Sequence, residues 1–167
     1  LTLILLFAAP PPGPVLEWER FINSVRDQTI QKEEARKQFA AIYAALKDLC
    51  RKHDFAPAAR WVFPLQGYGV RDVGAGGFKP GIRYGSSPVK GYDFYDGNRH
   101  GGHPAYDIFI HDRNQDSLED GSGKPVFVLA PVDLLILSGV ADWRPDSGIR
   151  GGRYVWALDP LQDRIFY

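Results

Sequence analysis

Four regimes of apolar patterning follow one another along this chain. Residues 1–9, L-T-L-I-L-L-F-A-A, form a nearly unbroken apolar run, closed off by Pro10, Pro11, Pro12 and Pro14. The run has the length of a signal-peptide h-region. It is too short for a bilayer span, which takes roughly 20 apolar residues. A buried strand is the other reading, but the prolines separate the run from everything that follows and favour a signal remnant. No cysteine follows it, so no lipid attachment point is expected. In the second regime Leu16, Phe21, Ile22 and Val25 recur at near-helical spacing. The pattern is clearer from about Gln31 to His53, where Phe39, Ile42, Tyr43, Leu46, Leu49 and Cys50 fall on one helical face. Glu33 and Glu34 sit early and Lys47, Arg51 and Lys52 late, which suits the helix dipole. Pro57 is the predicted stop.

From Phe55 helical periodicity disappears. Trp61-Val62-Phe63-Pro64 is a short apolar run, and 67–97 is rich in glycine, proline and other turn residues. That stretch predicts a long irregular loop with one or two short strands, of the kind that lines binding grooves. Gly74-Ala75-Gly76-Gly77 has no helix after it and makes a poor phosphate cradle. Short apolar segments then alternate with turns. They predict strands at Asp107–His111, Pro125–Ala130, Leu134–Val140, Arg153–Leu158 and Arg164–Tyr167. The expected class is α+β, an N-terminal helical segment followed by a mainly antiparallel β-sheet domain. The expected divisions are 1–14 (signal remnant and Pro-rich linker), 15–54 (helical) and 55–167 (β).

Composition narrows the function classes. Hydrophobic residues make up 44% of the chain, enough for a core. Lys+Arg and Asp+Glu both number 20 and no basic block stands out, so nucleic acid is not an expected partner. Cys50 is the single cysteine, so no internal disulfide can form. It lies on the apolar helical face. A nucleophile or a metal ligand is the sharper reading there, and a plain buried thiol is preferred. His53 at the helix end reads as a dipole-compensating side chain. The chain has no methionine and its apolar run has no basic residue before it, while D-R-I-F-Y reads as the middle of a strand. The expectation is a chain cut at both ends.

Candidate chemistry concentrates in 101–131. His103 and Asp107 form H-x-x-x-D, and imidazole nitrogen and carboxylate oxygen both bind zinc. Gly101, Gly102 and Pro104 argue against a helix interior and for a loop-to-strand junction. On the strand, Asp107, Phe109 and His111 would share one face, with Ile108 and Ile110 facing the core. Spacing alone leaves a surface histidine and a turn aspartate as the alternative. His111 lies roughly 13 Å from Asp107 along an extended strand, too far to share an ion. His100 could approach through the glycine turn. Groove-wall roles are preferred for both. Farther on, Asp112, Asn114, Asp116 and Asp120 alternate as oxygen donors, with Leu118 supplying a backbone carbonyl, at the spacing of a calcium loop. Ser117 stands where such loops carry glycine and no glutamate closes the pattern. It is more like short D-x-N-x-D repeats than an EF-hand. A solvated acidic hairpin loop is the alternative.

G-G-H-P-A-Y-D-I-F followed by G-K-P-V-F-V-L-A-P resembles the core of the lysostaphin-type (LytM-like) zinc metalloendopeptidases. W-V-F-P-L and Y-D-F-Y-D-G-N-R-H-G-G-H resemble the lead-in of envelope members. The resemblance covers about residues 60–167. It implies a β-rich groove, one zinc ion and cleavage of peptidoglycan peptides by a secreted or periplasmic protein. It places His103 and Asp107 as the first two zinc ligands and offers Tyr95 as a transition-state hydrogen-bond donor, at an unmatched spacing. The family's third ligand and catalytic histidine come from a later H-x-H motif, which this sequence lacks. R-I-F-Y resembles the strand leading into it, so the histidine pair is expected beyond Tyr167 and the 167 residues alone are expected to be inactive. Two further readings stay open. One is a non-catalytic cell-wall-binding or hydrolase-activating domain of the same fold. The other is a calcium-stabilised β adhesion module. The helical segment is a candidate surface for a protein partner.

Overall fold

In the computed structural model the helices begin where apolar spacing begins. The structure describes residues 13–72, 95, 108, 110–114, 116, 118–144, 146–148 and 152–167. Helix α1 spans Gly13–Arg26 and buries Val15, Trp18, Phe21, Ile22 and Val25. Its stripe centres on Trp18, while Leu16 is only half-buried. α1 ends in a Schellman arrangement. Thr29 N–H reaches Ser24 O at 3.0 Å and Gln28 N–H reaches Val25 O at 3.2 Å. Gln28 takes the left-handed position at φ 56°, which glycine usually fills, and its Nε2 donates to Val25 O at 2.8 Å.

Helix α2 spans Lys32–Cys50 and buries Ala35, Ile42, Leu46 and Cys50. It stops well before Pro57. Cys50 is its last buried residue, and Arg51, Lys52, His53 and Asp54 are all exposed. A further turn would have no apolar face to bury. The chain tightens instead, with Lys52 N–H on Leu49 O at 3.1 Å. Phe39 is not part of the buried stripe. It sits at its edge, 37% exposed, stacked on Tyr43 with centroids 5.7 Å apart.

Strands β1 (Leu135–Val140), β2 (Tyr154–Asp159) and β3 (Arg164–Phe166) form an antiparallel meander in the order β1-β2-β3. All three lie within a residue of the segments that alternation predicts. The class is therefore α+β, two helices followed by a small three-stranded antiparallel sheet. The β1–β2 register shifts between Ile136 and Ser138, so Leu137 is an extra residue on β1, and it is buried. Two residues farther along β1, Gly139 lies so close to β2 that an added Cβ would sit 3.1 Å from Tyr154 O.

The helices share a core with this sheet. Residues 13–57 and 133–167 make one compact unit, and 58–132 make a second. In the first, Trp18 meets Trp156 edge-on at 5.8 Å, and α1 packs on β1. Leu46, Leu137 and Leu158 are buried within the unit at 2% exposure or less. α2 also grips the β2–β3 turn. Lys47 Nζ donates to Pro160 O at 2.6 Å and pairs with Asp163, whose carboxylate also accepts the Tyr43 hydroxyl at 3.3 Å. Asp163 is left-handed at φ 54°, a conformation that Asp tolerates better than most residues. Asp159, buried at the head of that turn, accepts the N–H groups of Leu161 (3.0 Å) and Gln162 (3.1 Å). The helical segment is thus not packed apart from the strands at 133–167. No helix among the described residues is long and apolar enough to cross a membrane.

Candidate functional site

The second unit contains the described part of the candidate site. Its frame is a two-stranded ribbon in which 62–66 run antiparallel to 127–131. Val62 N–H reaches Pro131 O at 3.0 Å, Leu129 N–H reaches Pro64 O at 2.8 Å, and Gln66 N–H reaches Phe127 O at 2.9 Å. All three bonds share one register, and Leu65↔Val128 is the bridge between them. The strand predicted at Pro125–Ala130 is corrected here: it is extended, but it forms only that isolated bridge. Proline is the reason. A bridge at 63↔130 would need N–H groups from residues 64 and 131, and both are proline. Trp61, Val62, Phe127 and Val128 remain 40–71% exposed along the ribbon.

The strand predicted at Asp107–His111 is corrected at its end. Ile108 makes a bridge and, like Ile110, is half-buried. The chain then turns, with Asp112 N–H on Ile110 O at 2.9 Å around an exposed His111. A three-residue turn centred on His111 ends strand alternation, so His111 does not continue one face of a strand. Its backbone is held from both sides. The Tyr68 hydroxyl accepts His111 N–H at 2.9 Å, and Asp120 N–H donates to His111 O at 2.7 Å. The two rings lie 5.4 Å apart, tilted by 54°.

The acidic loop has its own order. Asp112 Oδ1 accepts Asp116 N–H at 3.2 Å, and Asp116 Oδ1 accepts Leu118 N–H at 2.8 Å. Asn114 Nδ2 donates to Asp116 Oδ2 at 2.9 Å, and Asp120 takes Arg113 N–H at 3.2 Å. Carboxylates thus satisfy backbone donors that no ladder reaches. Among the described residues no group of three or more His, Cys, Asp or Glu side chains could hold a metal ion. The loop closes through the Glu119–Lys124 bridge, with Gly123 left-handed at φ 63°. Glu119 accepts Ser122 N–H at 2.7 Å. Hydrogen bonds from the Ser122 side chain, and then from the Gly121 and Ser122 backbone, hold its carboxyl below the usual glutamate range.

Of the other candidates, Tyr95 is half-buried in a turn. His100, His103 and Asp107 lie outside the described residues. Two residues that periodicity did not single out, Tyr68 and Glu119, make the bonds that shape this region. The only sequence signal for Tyr68 is its place between Gly67 and Gly69 in a turn. Comparison with protein-family models, with curated proteins and with solved structures gives no match.

Proposed function

We propose that this chain carries part of a zinc-dependent endopeptidase of bacterial peptidoglycan, of the lysostaphin (LytM-like) type, exported to the cell envelope. The observation that carries the reading is the conjunction of G-G-H-P-A-Y-D with G-K-P-V-F-V-L-A-P in one chain. Support comes from the ribbon, where W-V-F-P-L, the lead-in of the resemblance, runs beside P-V-F-V-L-A-P in a single register. The apolar run at 1–9 supports export.

In this reading His103 and Asp107 hold the zinc. Bound zinc supplies Lewis acidity to a peptide carbonyl and acidity to its own water. A catalytic zinc takes three protein ligands, and a general base must also be present. His53, His100, His103 and His111 are the four histidines, and no two of them form H-x-H. The 167 residues are therefore proposed to bind zinc weakly and to leave peptidoglycan uncleaved. That donor count also favours a second reading, a non-catalytic cell-wall-binding or hydrolase-activating domain of the same fold. Calcium is proposed for the acidic loop; its carboxylates as they stand make no group that holds a metal, so binding there would have to draw Asp112, Asp116 and Asp120 inward.

Metal content after equilibration with zinc and calcium tests these assignments. His103→Ala is expected to remove the zinc, and Asp116→Asn the calcium. Zinc content unchanged in His103→Ala sinks the metal pair. Zinc-dependent release of peptides from peptidoglycan by the 167 residues would overturn the expectation of inactivity.

A further inference from the structure

We propose that the strand edge at 126–130 pairs with the same edge of a second copy of this chain. The inference goes beyond the zinc reading and does not rest on it. In an antiparallel pair, alternate residues turn their N–H and C=O groups to the partner strand, and those between turn them away. Leu129 N–H goes to Pro64 O, while Phe127 O and Pro131 O take Gln66 N–H and Val62 N–H. Residues 127, 129 and 131 therefore face inward. Val126, Val128 and Ala130 turn their backbone groups outward, where none of those groups has a hydrogen-bond partner among the described residues. Pro125 and Pro131 fall in the inward set, so their missing N–H groups leave the outer edge complete. The other edge of the ribbon offers less, because Leu65 O already takes Tyr68 N–H at 3.3 Å.

Natural sheets blunt open edges with charges, bulges or covering elements. Here V-F-V-L-A carries no charge. Phe127 is 63% exposed, Val128 is 71% exposed, and Ala130 is exposed beside them. Among the described residues of 58–132 none is buried, and a lone two-stranded ribbon is marginal in water. The sequence points to the occupant. P-V-F-V-L-A-P is nearly palindromic about Val128. A two-fold axis there sets the two edges antiparallel, as an isologous interface requires. Val128 then meets Val128 of the second copy, and Val126 meets Ala130. Both members of each pair face outward, so each pair can exchange two N–H···O bonds. Phe127 meets Leu129 at the intervening positions, where side chains come closest. A slip of one residue would set outward groups against inward ones. A peptide of unrelated sequence offers the backbone bonds without this match of side chains.

The test is sedimentation of the whole chain, with amide exchange read by NMR, for the wild type, Val128→Lys, Val128→Glu and an equal mixture of the two variants. The wild-type mean mass is expected to rise towards the dimer over roughly 0.01–1 mM, the range of a small transient interface. Over that range, exchange at Val128 and Ala130 should slow by about threefold or more, while Leu129, already bonded inside the ribbon, stays unchanged. Each variant alone sets like charges face to face at the axis and is expected to stay monomeric. The mixture restores opposite charges and should dimerise, which misfolded variants would not do. A wild type that is monomeric up to about 1 mM overturns the proposal. So does a rise in mass that leaves the Val128 and Ala130 amides unprotected, or that both single variants retain. A mixture that stays monomeric overturns the two-fold at Val128. Protection of those amides by an added extended peptide, with the protein itself monomeric, assigns the edge to a peptide and overturns the second copy.

Discussion

Leu46→Ala is the sharpest probe of the shared core of helices and strands. Leu46 is 0% exposed on α2. The substitution removes three buried carbons, about 2.4 kcal/mol at about 0.8 kcal/mol for each. An unrelaxed cavity adds to this, so about 3–4 kcal/mol in all is expected. The unit formed by 13–57 and 133–167 has roughly 80 residues, and domains of that size are stable by about 4–12 kcal/mol. The loss is thus a large fraction of the total. With a urea slope of about 1 kcal/mol/M, the midpoint should fall by about 3 M. Far-UV circular dichroism follows α1 and α2. Tryptophan fluorescence, read with Trp61 and Trp143 replaced by phenylalanine, reports the Trp18–Trp156 contact between α1 and β2. Both signals should shift together, because Leu46 and the sheet belong to one cooperative unit. Helical signal lost at low urea with the tryptophan transition left in place would refute the shared core.

Two further predictions come from the same unit. Hydrogen bonding and charge from Lys47 hold the Asp163 carboxyl below the usual aspartate range. A depressed carboxylate contributes stability above its unfolded pKa, about 3.9, and loses it as pH falls through the folded value. Asp163→Asn tolerates the left-handed turn but removes the charge, so its melting deficit should be present at pH 6 and vanish in strong acid. An equal deficit at both pH values would contradict the ion-pair account. Burial pushes the Cys50 thiol pKa up, with Lys47 opposing it weakly. Labelling of Cys50 by a thiol reagent at pH 8 should be about a hundredfold slower in the native protein than in urea, and comparable rates would show the thiol to be accessible.

The elements of the first unit were legible because their signal is local. Ile42, Leu46 and Cys50 follow helical spacing whatever α2 packs against. β1–β3 were legible because Gly, Pro and Asp turns flank short apolar runs. What α2 packs against was not legible. The Lys47–Asp163 pair spans more than a hundred residues, and no periodicity encodes it. The bulge at Leu137 was equally hidden, because alternation on β1 alone does not say where the partner strand slips. The expected division at residue 54/55 followed composition, which changes there, whereas the packing of 13–57 with 133–167 follows long-range contact.

The second unit was read less well, for a physical reason that bears on its chemistry. Apolar alternation at Pro125–Ala130 correctly marks extended chain. The prolines at 64 and 131 then remove the donors that would turn the pair into a regular ladder. Where the ladder fails, backbone donors must find other acceptors. Tyr68, Asp112, Asp116, Glu119 and Asp120 supply them. The oxygen-rich spacing of 112–120 therefore has a structural task whether or not a cation joins it. Exposed apolar groups such as Phe127 and Val128 contribute little burial. In this unit the polar side chains that accept backbone N–H groups fix the path of the chain. Substitution at those acceptors should disturb the neighbourhood of His111 more than truncation of the larger apolar residues on the ribbon.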